Sequence, residues 1–227
     1  MGSRTGRGSG LGAALIVAAV LAFLISVAIS ITSRDTAYVW HDNMISDLGD
    51  SVCGVRAGRM ICSPNAALFN AGLVVSGLCL IAAALCLPRR WGPRLASSVA
   101  VMGVGLIGTG IFPAGTHPGP HLIAVVLALV VPSLRFLLSA IRPPTPWLCR
   151  YRLPRAALAT AALGFAAESR LPGSVVPRGA GELAIVGALL VLLSMEAARL
   201  LAAAYASRRA GVSRSRDETV ATGSPSQ

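Results

Sequence analysis

The chain has 227 residues, 54% of them hydrophobic and 13% charged, with a mean hydropathy of +0.69. A soluble domain carries about 25% charge and about 45–50% apolar residues. Here the apolar excess is gathered into nearly charge-free blocks of about twenty residues, which is the pattern of membrane spans. An ordinary cytosolic enzyme, a disordered chain and a secreted disulfide scaffold are excluded. The net charge is +11, and all 20 basic residues are arginine. Most lie in short segments between apolar blocks, where they orient a membrane protein, so no nucleic-acid partner is expected. Arginine without lysine, beside heavy alanine and glycine use, suggests GC-rich coding and hence a high-GC bacterium as the source.

The first uncharged run, Gly8–Ser33, has its apolar centre at 11–31. Those positions span about 31 Å as a helix, enough for the hydrocarbon core. The run is longer than the usual h-region of a signal peptide, so it reads as a retained helix although Ala28 and Ser30 resemble a cleavage site. Residues 34–64 form the longest polar segment and hold Asp35, Asp42, Asp47 and Asp50, with Tyr38 and Trp40 as interfacial aromatics. Further helices are expected at 65–87, 95–112 and 121–141, each stopped or started near a proline. A fifth at 153–171 spans only with Arg155 and Arg170 snorkelling outward, and the sixth runs over 181–205. The polar remainder, 206–227, is expected to be a disordered cytoplasmic tail.

With the N-terminus in the cytoplasm, thirteen arginines fall on inner segments and five on outer ones, while Arg135 and Arg199 lie near inner helix ends. That asymmetry favours an even number of spans with both termini inside. The expected fold class is therefore all-α: an integral bundle of six transmembrane helices in the bacterial cytoplasmic membrane, surrounded by membrane lipids.

Gly103-Val-Gly105-Leu-Ile-Gly108 matches a dinucleotide-binding pattern literally, but no strand precedes it and it sits inside an apolar helix. The small residues read as a close-packing face. Cys53 and Cys62 share the first outer loop, where an oxidising compartment permits a disulfide; two unpaired thiols are the alternative. Cys79 and Cys86 read as packing residues, and Cys149 as a lone thiol.

Few polar residues could do chemistry, and the topology places most of them at the outer level. Asp47, Asn65, Asn70, His121 and Glu182 come from four segments, Asn65 and Asn70 sharing the second helix, and suggest an outward-facing polar pocket, since polar groups entering membrane helices are costly. Such a pocket could stabilise the bundle or bind a lipid-like ligand. A second reading makes His41, His117 and His121 the ligands of a zinc ion in a membrane hydrolase. Against it, His117-Pro-Gly-Pro-His121 cannot be one regular helical turn. No cofactor is expected on the leading reading. Separately solvated interfacial residues are the plain alternative, and a small transporter ranks third. On the inner side, Arg135 and Glu196 descend equal distances from the outer face, which predicts an interhelical ion pair, with Glu196–Arg199 as the local competitor.

Ile45-Ser-Asp-Leu-Gly49, then Cys53-Gly and Cys62-Ser-Pro-Asn-Ala-Ala-Leu-Phe-Asn70-Ala-Gly-Leu, resembles the bacterial multi-pass membrane family catalogued as domain of unknown function 998. Gly110-Ile-Phe-Pro113, His121 and Gly181-Glu182-Leu183 are similar to its later landmarks, although Leu183 stands where that family often has arginine. The resemblance implies a six-helix bundle and marks Asp47, Cys53, Cys62, Asn70, His121 and Glu182, with no activity to carry over. A distant likeness of Ile-Ser-Asp-x-Gly to lipid-linked membrane families hints at lipid.

Overall fold

The computed structural model describes residues 2–32, 38–56, 58–168, 171 and 173–222, with side chains outside 2–7 and 211–222. Arg4, Arg7, Arg34, Asp35, Arg170, Arg214, Arg216 and residues 223–227, which entered the charge count or the expected tail, lie outside what is described of backbone or side chain. The architecture is a helical bundle with one short hairpin. In chain order come α1 (Gly2–Thr32), a 3-10 turn (Ile45–Gly49), strands β1 (Gly54–Arg56) and β2 (Arg59–Ile61), α2 (Ala66–Cys86), α3 (Pro88–Trp91) and α4 (Pro93–Ile111). Then follow α5 (Pro118–Val125), a π turn (Val126–Val130), α6 (Val131–Ile141), α7 (Pro146–Cys149), α8 (Arg152–Glu168) and α9 (Arg178–Thr222).

Among the described residues, five segments are long and apolar enough to cross a membrane: Gly8–Thr32, Ala66–Cys86, Pro93–Ile111, Pro118–Ile141 and Arg178–Ala210. The fifth expected helix is present as α8, whose 17 residues reach only about 26 Å. It falls short of the about 20 residues that a span needs. At the last helix the boundary also differs, because α9 continues past Tyr205 to Thr222. Large apolar side chains along the helices are exposed, among them Leu24, Leu78, Leu85, Val104, Ile123 and Val191. A stripe of that extent belongs against lipid.

Helix ends follow local chemistry. Pro88, Pro93, Pro118 and Pro146 each occupy a first turn, where the missing N–H costs nothing. Gly92, at φ 77°, makes the left-handed corner between α3 and α4. Within the Pro118–Ile141 span, Pro132 cannot donate to the turn before it, and the backbone widens there into the π turn. Ser133 Oγ donates to Leu129 O at 2.6 Å, giving that carbonyl a partner.

The glycines of the Gly103–Gly108 stretch serve close approach. A Cβ at Gly103 would fall on the Gly77 carbonyl of α2, and one at Gly105 on the backbone of Ala124 and Ala128 across the π turn. Two apolar centres result. The larger gathers Ile16, Leu80, Trp91, Phe136, Leu148 and Leu192; the smaller joins Phe23, Phe69 and Leu73 to Ile45 and Leu48 of the 3-10 turn. The loop after α1 thus dips into one end of the bundle as a plug, carrying its polar residues with it.

Candidate functional site: a polar cavity at the hairpin end

A cavity of about 980 Å³ opens where the 3-10 turn, the β-hairpin, the α4–α5 loop, the start of α5 and the start of α9 meet. Ile45 and Leu48 anchor the turn in the core, so Asp47 between them is held nearly buried. Its Oδ2 accepts the Met44 N–H at 2.9 Å and its Oδ1 accepts Arg59 Nη2 at 3.3 Å. Asp50 pairs with Arg56, which also donates to Val52 O at 2.6 Å. A Cβ at Gly115 would collide with both members of that pair, so the α4–α5 loop must present bare backbone there. Both arginines sit on the hairpin, which a disulfide between Cys53 and Cys62 closes across a Cα–Cα distance of 4.3 Å.

From α9, Glu182 Oε2 accepts the Ser46 N–H at 3.4 Å and the Ser46 hydroxyl at 3.5 Å. From α5, His121 Nδ1 lies 2.8 Å from Phe112 O. A carbonyl only accepts, so Nδ1 carries the proton and Nε2 is the nitrogen left for another partner. The described lining holds three arginines (Arg56, Arg59, Arg178) against three carboxylates (Asp47, Asp50, Glu182). Such a balanced lining suits hydrogen-bonding or zwitterionic groups better than a bare anion. Leu122, Val125, Leu129 and Ile185 add apolar lining. Leu129 also borders a small apolar cavity of about 50 Å³ between Phe23, Leu106 and Leu190. The cavity thus joins charged and apolar lining in one space.

Of the residues marked from sequence, Asp47, His121 and Glu182 line this cavity. Asn70 stands behind it: its Nδ2 donates to Gly49 O at 2.9 Å and ties the end of the 3-10 turn to α2. Asn65 begins α2 without a side-chain cap bond. The zinc reading does not survive the geometry. His41 pairs with Asp42 on the exposed surface at 3.1 Å, and His117 bonds to Thr116 at 2.9 Å and stacks edge-on against Phe112. Neither lines the cavity with His121. Among the described residues no group of three or more His, Cys, Asp or Glu side chains could hold a metal ion. Sequence reasoning missed Ser46, Asp50, Arg56, Arg59 and Arg178. The charge order Asp47, Asp50, Arg56, Arg59 around a cysteine-closed loop was the available signal for four of the cavity's side chains.

The opposite end of the bundle holds a second polar cluster. Glu196 Oε1 accepts Arg155 Nη2 at 3.0 Å and Arg199 Nη1 at 2.7 Å, while Oε2 accepts both Trp91 Nε1 and Trp147 Nε1 at 3.3 Å. Arg155 and Glu196 are fully buried. Arg155 also donates to Leu148 O at 2.8 Å, and Arg199 stacks on Trp147 and Tyr151. The expected Arg135–Glu196 pair is therefore not made, and Arg155 does not snorkel outward. The reason is topological: α6 packs against α4 and α8, α9 against α1 and α8, so α8 stands between them and supplies the cation. The local Glu196–Arg199 pair forms beside it.

No curated protein and no solved structure matches the chain. Residues 16–199, however, match a family described as "Protein of unknown function (DUF998)", and that stretch contains both polar clusters. A multi-pass helical membrane protein with a disulfide-stapled hairpin, the chain belongs to the DUF998 family.

Proposed function

We propose that this is a non-enzymatic, six-span protein of the bacterial cytoplasmic membrane, with both termini cytoplasmic and its polar cavity facing outward to hold a lipid-like amphiphile. The carrying observation is the double character of one cavity, lined by Asp47, Arg59, His121 and Glu182 and also by Val125, Leu129 and Ile185. A purely structural clamp would consume its polar groups, whereas His121 keeps Nε2 available and the space is large enough for a small headgroup. The charge balance favours a polyol or zwitterionic head. α8 serves as the sixth span, short but anchored by its Arg155 to α9. The arginine distribution supports the orientation. The donor set does not support the metal-hydrolase alternative, because the three histidines do not converge.

The test is native mass spectrometry of the protein extracted in mild detergent, comparing wild type with Leu129→Trp, which fills the apolar part of the cavity, and His121→Ala. Wild type is expected to carry a bound amphiphile. Leu129→Trp is expected to lose it, and His121→Ala to retain it about tenfold less well, the value of one charged or buried hydrogen bond. Equal retention in all three proteins would overturn the reading, as would an empty wild type.

A further inference from the structure

Between α4 and α6, at the end of the bundle away from the hairpin, lies a separate cavity of about 410 Å³. Its lining contains Arg94, Arg135 and Arg142 and no carboxylate; the rest is Leu95, Leu138, Ser139, Ile141 and Pro144. The Ser139 hydroxyl is already engaged, donating to Phe136 O at 2.7 Å. The three side chains are exposed. Arg90, Arg155 and Arg199, at the same end, each bond or stack with a named partner. Among the described residues, no ion pair, hydrogen bond or ring contact engages the guanidinium group of Arg94, Arg135 or Arg142.

Three like charges around one space repel one another and call for an anion. Arg135 sharpens the demand because it lies within the Pro118–Ile141 span, six residues and about 9 Å short of its end. An arginine at that depth is costly unless it meets a counter-charge or reaches the phosphate level. The neighbouring face of α6 is apolar and exposed through Leu134, Leu138 and Ile141. A free inorganic anion would gain nothing from that face, but an acyl chain would cover it.

We infer that the juxtaposition of Arg94 on α4 with Arg135 and Arg142 on α6 forms a binding site for the phosphate of an anionic phospholipid whose chains lie along the exposed face of α6. Basic pockets between membrane helices take lipid phosphates in this manner. The site is distinct from the hairpin-end cavity in position, charge and ligand, and its test does not depend on that cavity being occupied.

The experiment is electron spin resonance of spin-labelled lipids on the full chain in phosphatidylcholine nanodiscs. Spin-labelled phosphatidylglycerol is expected to associate about tenfold more strongly than spin-labelled phosphatidylcholine. Arg94→Gln with Arg142→Gln is expected to bring the two close to parity. Arg208→Gln with Arg209→Gln removes the same charge from an exposed stretch of α9 and is expected to leave the preference in place. Should the first double variant fail to assemble, Arg142→Gln alone, at an exposed helix end, is expected to lower the preference about threefold. Equal association of both lipids with wild type would overturn the inference, as would a preference untouched by the cavity substitutions or removed equally by the α9 pair. Displacement of the labelled lipid by inorganic phosphate would also overturn it, in favour of a free-anion site.

Discussion

The two ends of this bundle use the same residue types to opposite effect. At the hairpin end, three arginines, three carboxylates and a histidine surround a space of about 980 Å³. At the other end, Glu196 receives four donors, two guanidinium and two indole, and is fully buried with Arg155. One cluster keeps hydrogen-bonding capacity facing a void; the other spends nearly all of its own on itself. A closed network fixes helices relative to one another, and an open one is available to a ligand. The difference lies in what surrounds the charges rather than in the charges.

The largest test of that contrast is at the closed end. Glu196→Ala leaves Arg155 buried without its counter-charge, and such truncations cost about 3–5 kcal/mol. The measurement is the unfolding midpoint in mild detergent titrated with a denaturing one. Replacing Arg155, Glu196 and Arg199 together by methionine is expected to recover part of the loss, since no buried charge is then left unpaired. Trp91 and Trp147 still lack their acceptor in that variant, so recovery is incomplete. A Glu196→Ala protein as stable as wild type would show that the cluster does not hold α8 to α9.

At the hairpin end the next effect comes from the staple. Cys53→Ser with Cys62→Ser opens a loop of sequence separation 9, for which chain-entropy arguments give about 2–3 kcal/mol. Because Arg56 and Arg59 ride on that hairpin, the variant is expected to lose bound amphiphile before it loses helicity. Circular dichroism and native mass spectrometry on one sample separate the two. Loss of both together would mean that the hairpin end also holds the bundle.

Much of the open end was legible in the sequence because helix boundaries alone set its level. His121 and Glu182 stand in the first turns of α5 and α9, and Asp47 lies in the polar loop between α1 and α2, so apolar periodicity is enough to bring all three to one level. Cys53 and Cys62 share one loop, so their pairing needed no tertiary knowledge. The closed end was not legible in the same way. Depth along a helix can be counted, but rotation and neighbourhood cannot. Arg135 has the right depth for Glu196, yet α8 intervenes and the π turn before Pro132 breaks the regular helical count. Arg155 follows Pro154 near a helix start, where an outward-reaching side chain is the ordinary expectation; its partner lies 41 residues on, across a helix contact. Trp91 and Trp147 sit on the four-residue helices α3 and α7, too short to leave a periodic signal. The histidines teach the same lesson, since sharing a level did not bring His41 and His117 to His121.

The smallest and sharpest test compares one donor at each end. Trp147→Phe removes a single indole N–H from Glu196 Oε2 while keeping an aromatic face for Arg90 and Arg199. In a closed network that loss leaves a buried carboxylate oxygen with one donor fewer, and about 1 kcal/mol of stability should go with it. Glu182→Gln at the open end keeps an oxygen for the Ser46 N–H and hydroxyl, and solvent or ligand can solvate the changed group. Its stability should move by less than about 0.5 kcal/mol, within the scatter of substitutions at accessible sites. The same substitution alters the charge balance of the cavity to three arginines against two carboxylates. Retained ligand should therefore shift toward more acidic amphiphiles, while Trp147→Phe leaves the retained species unchanged. Stability responding at one end and ligand choice at the other is the signature that distinguishes a lock from a site. If both variants moved the midpoint alike and neither moved the ligand, the hairpin-end cavity would be a second lock with space left in it.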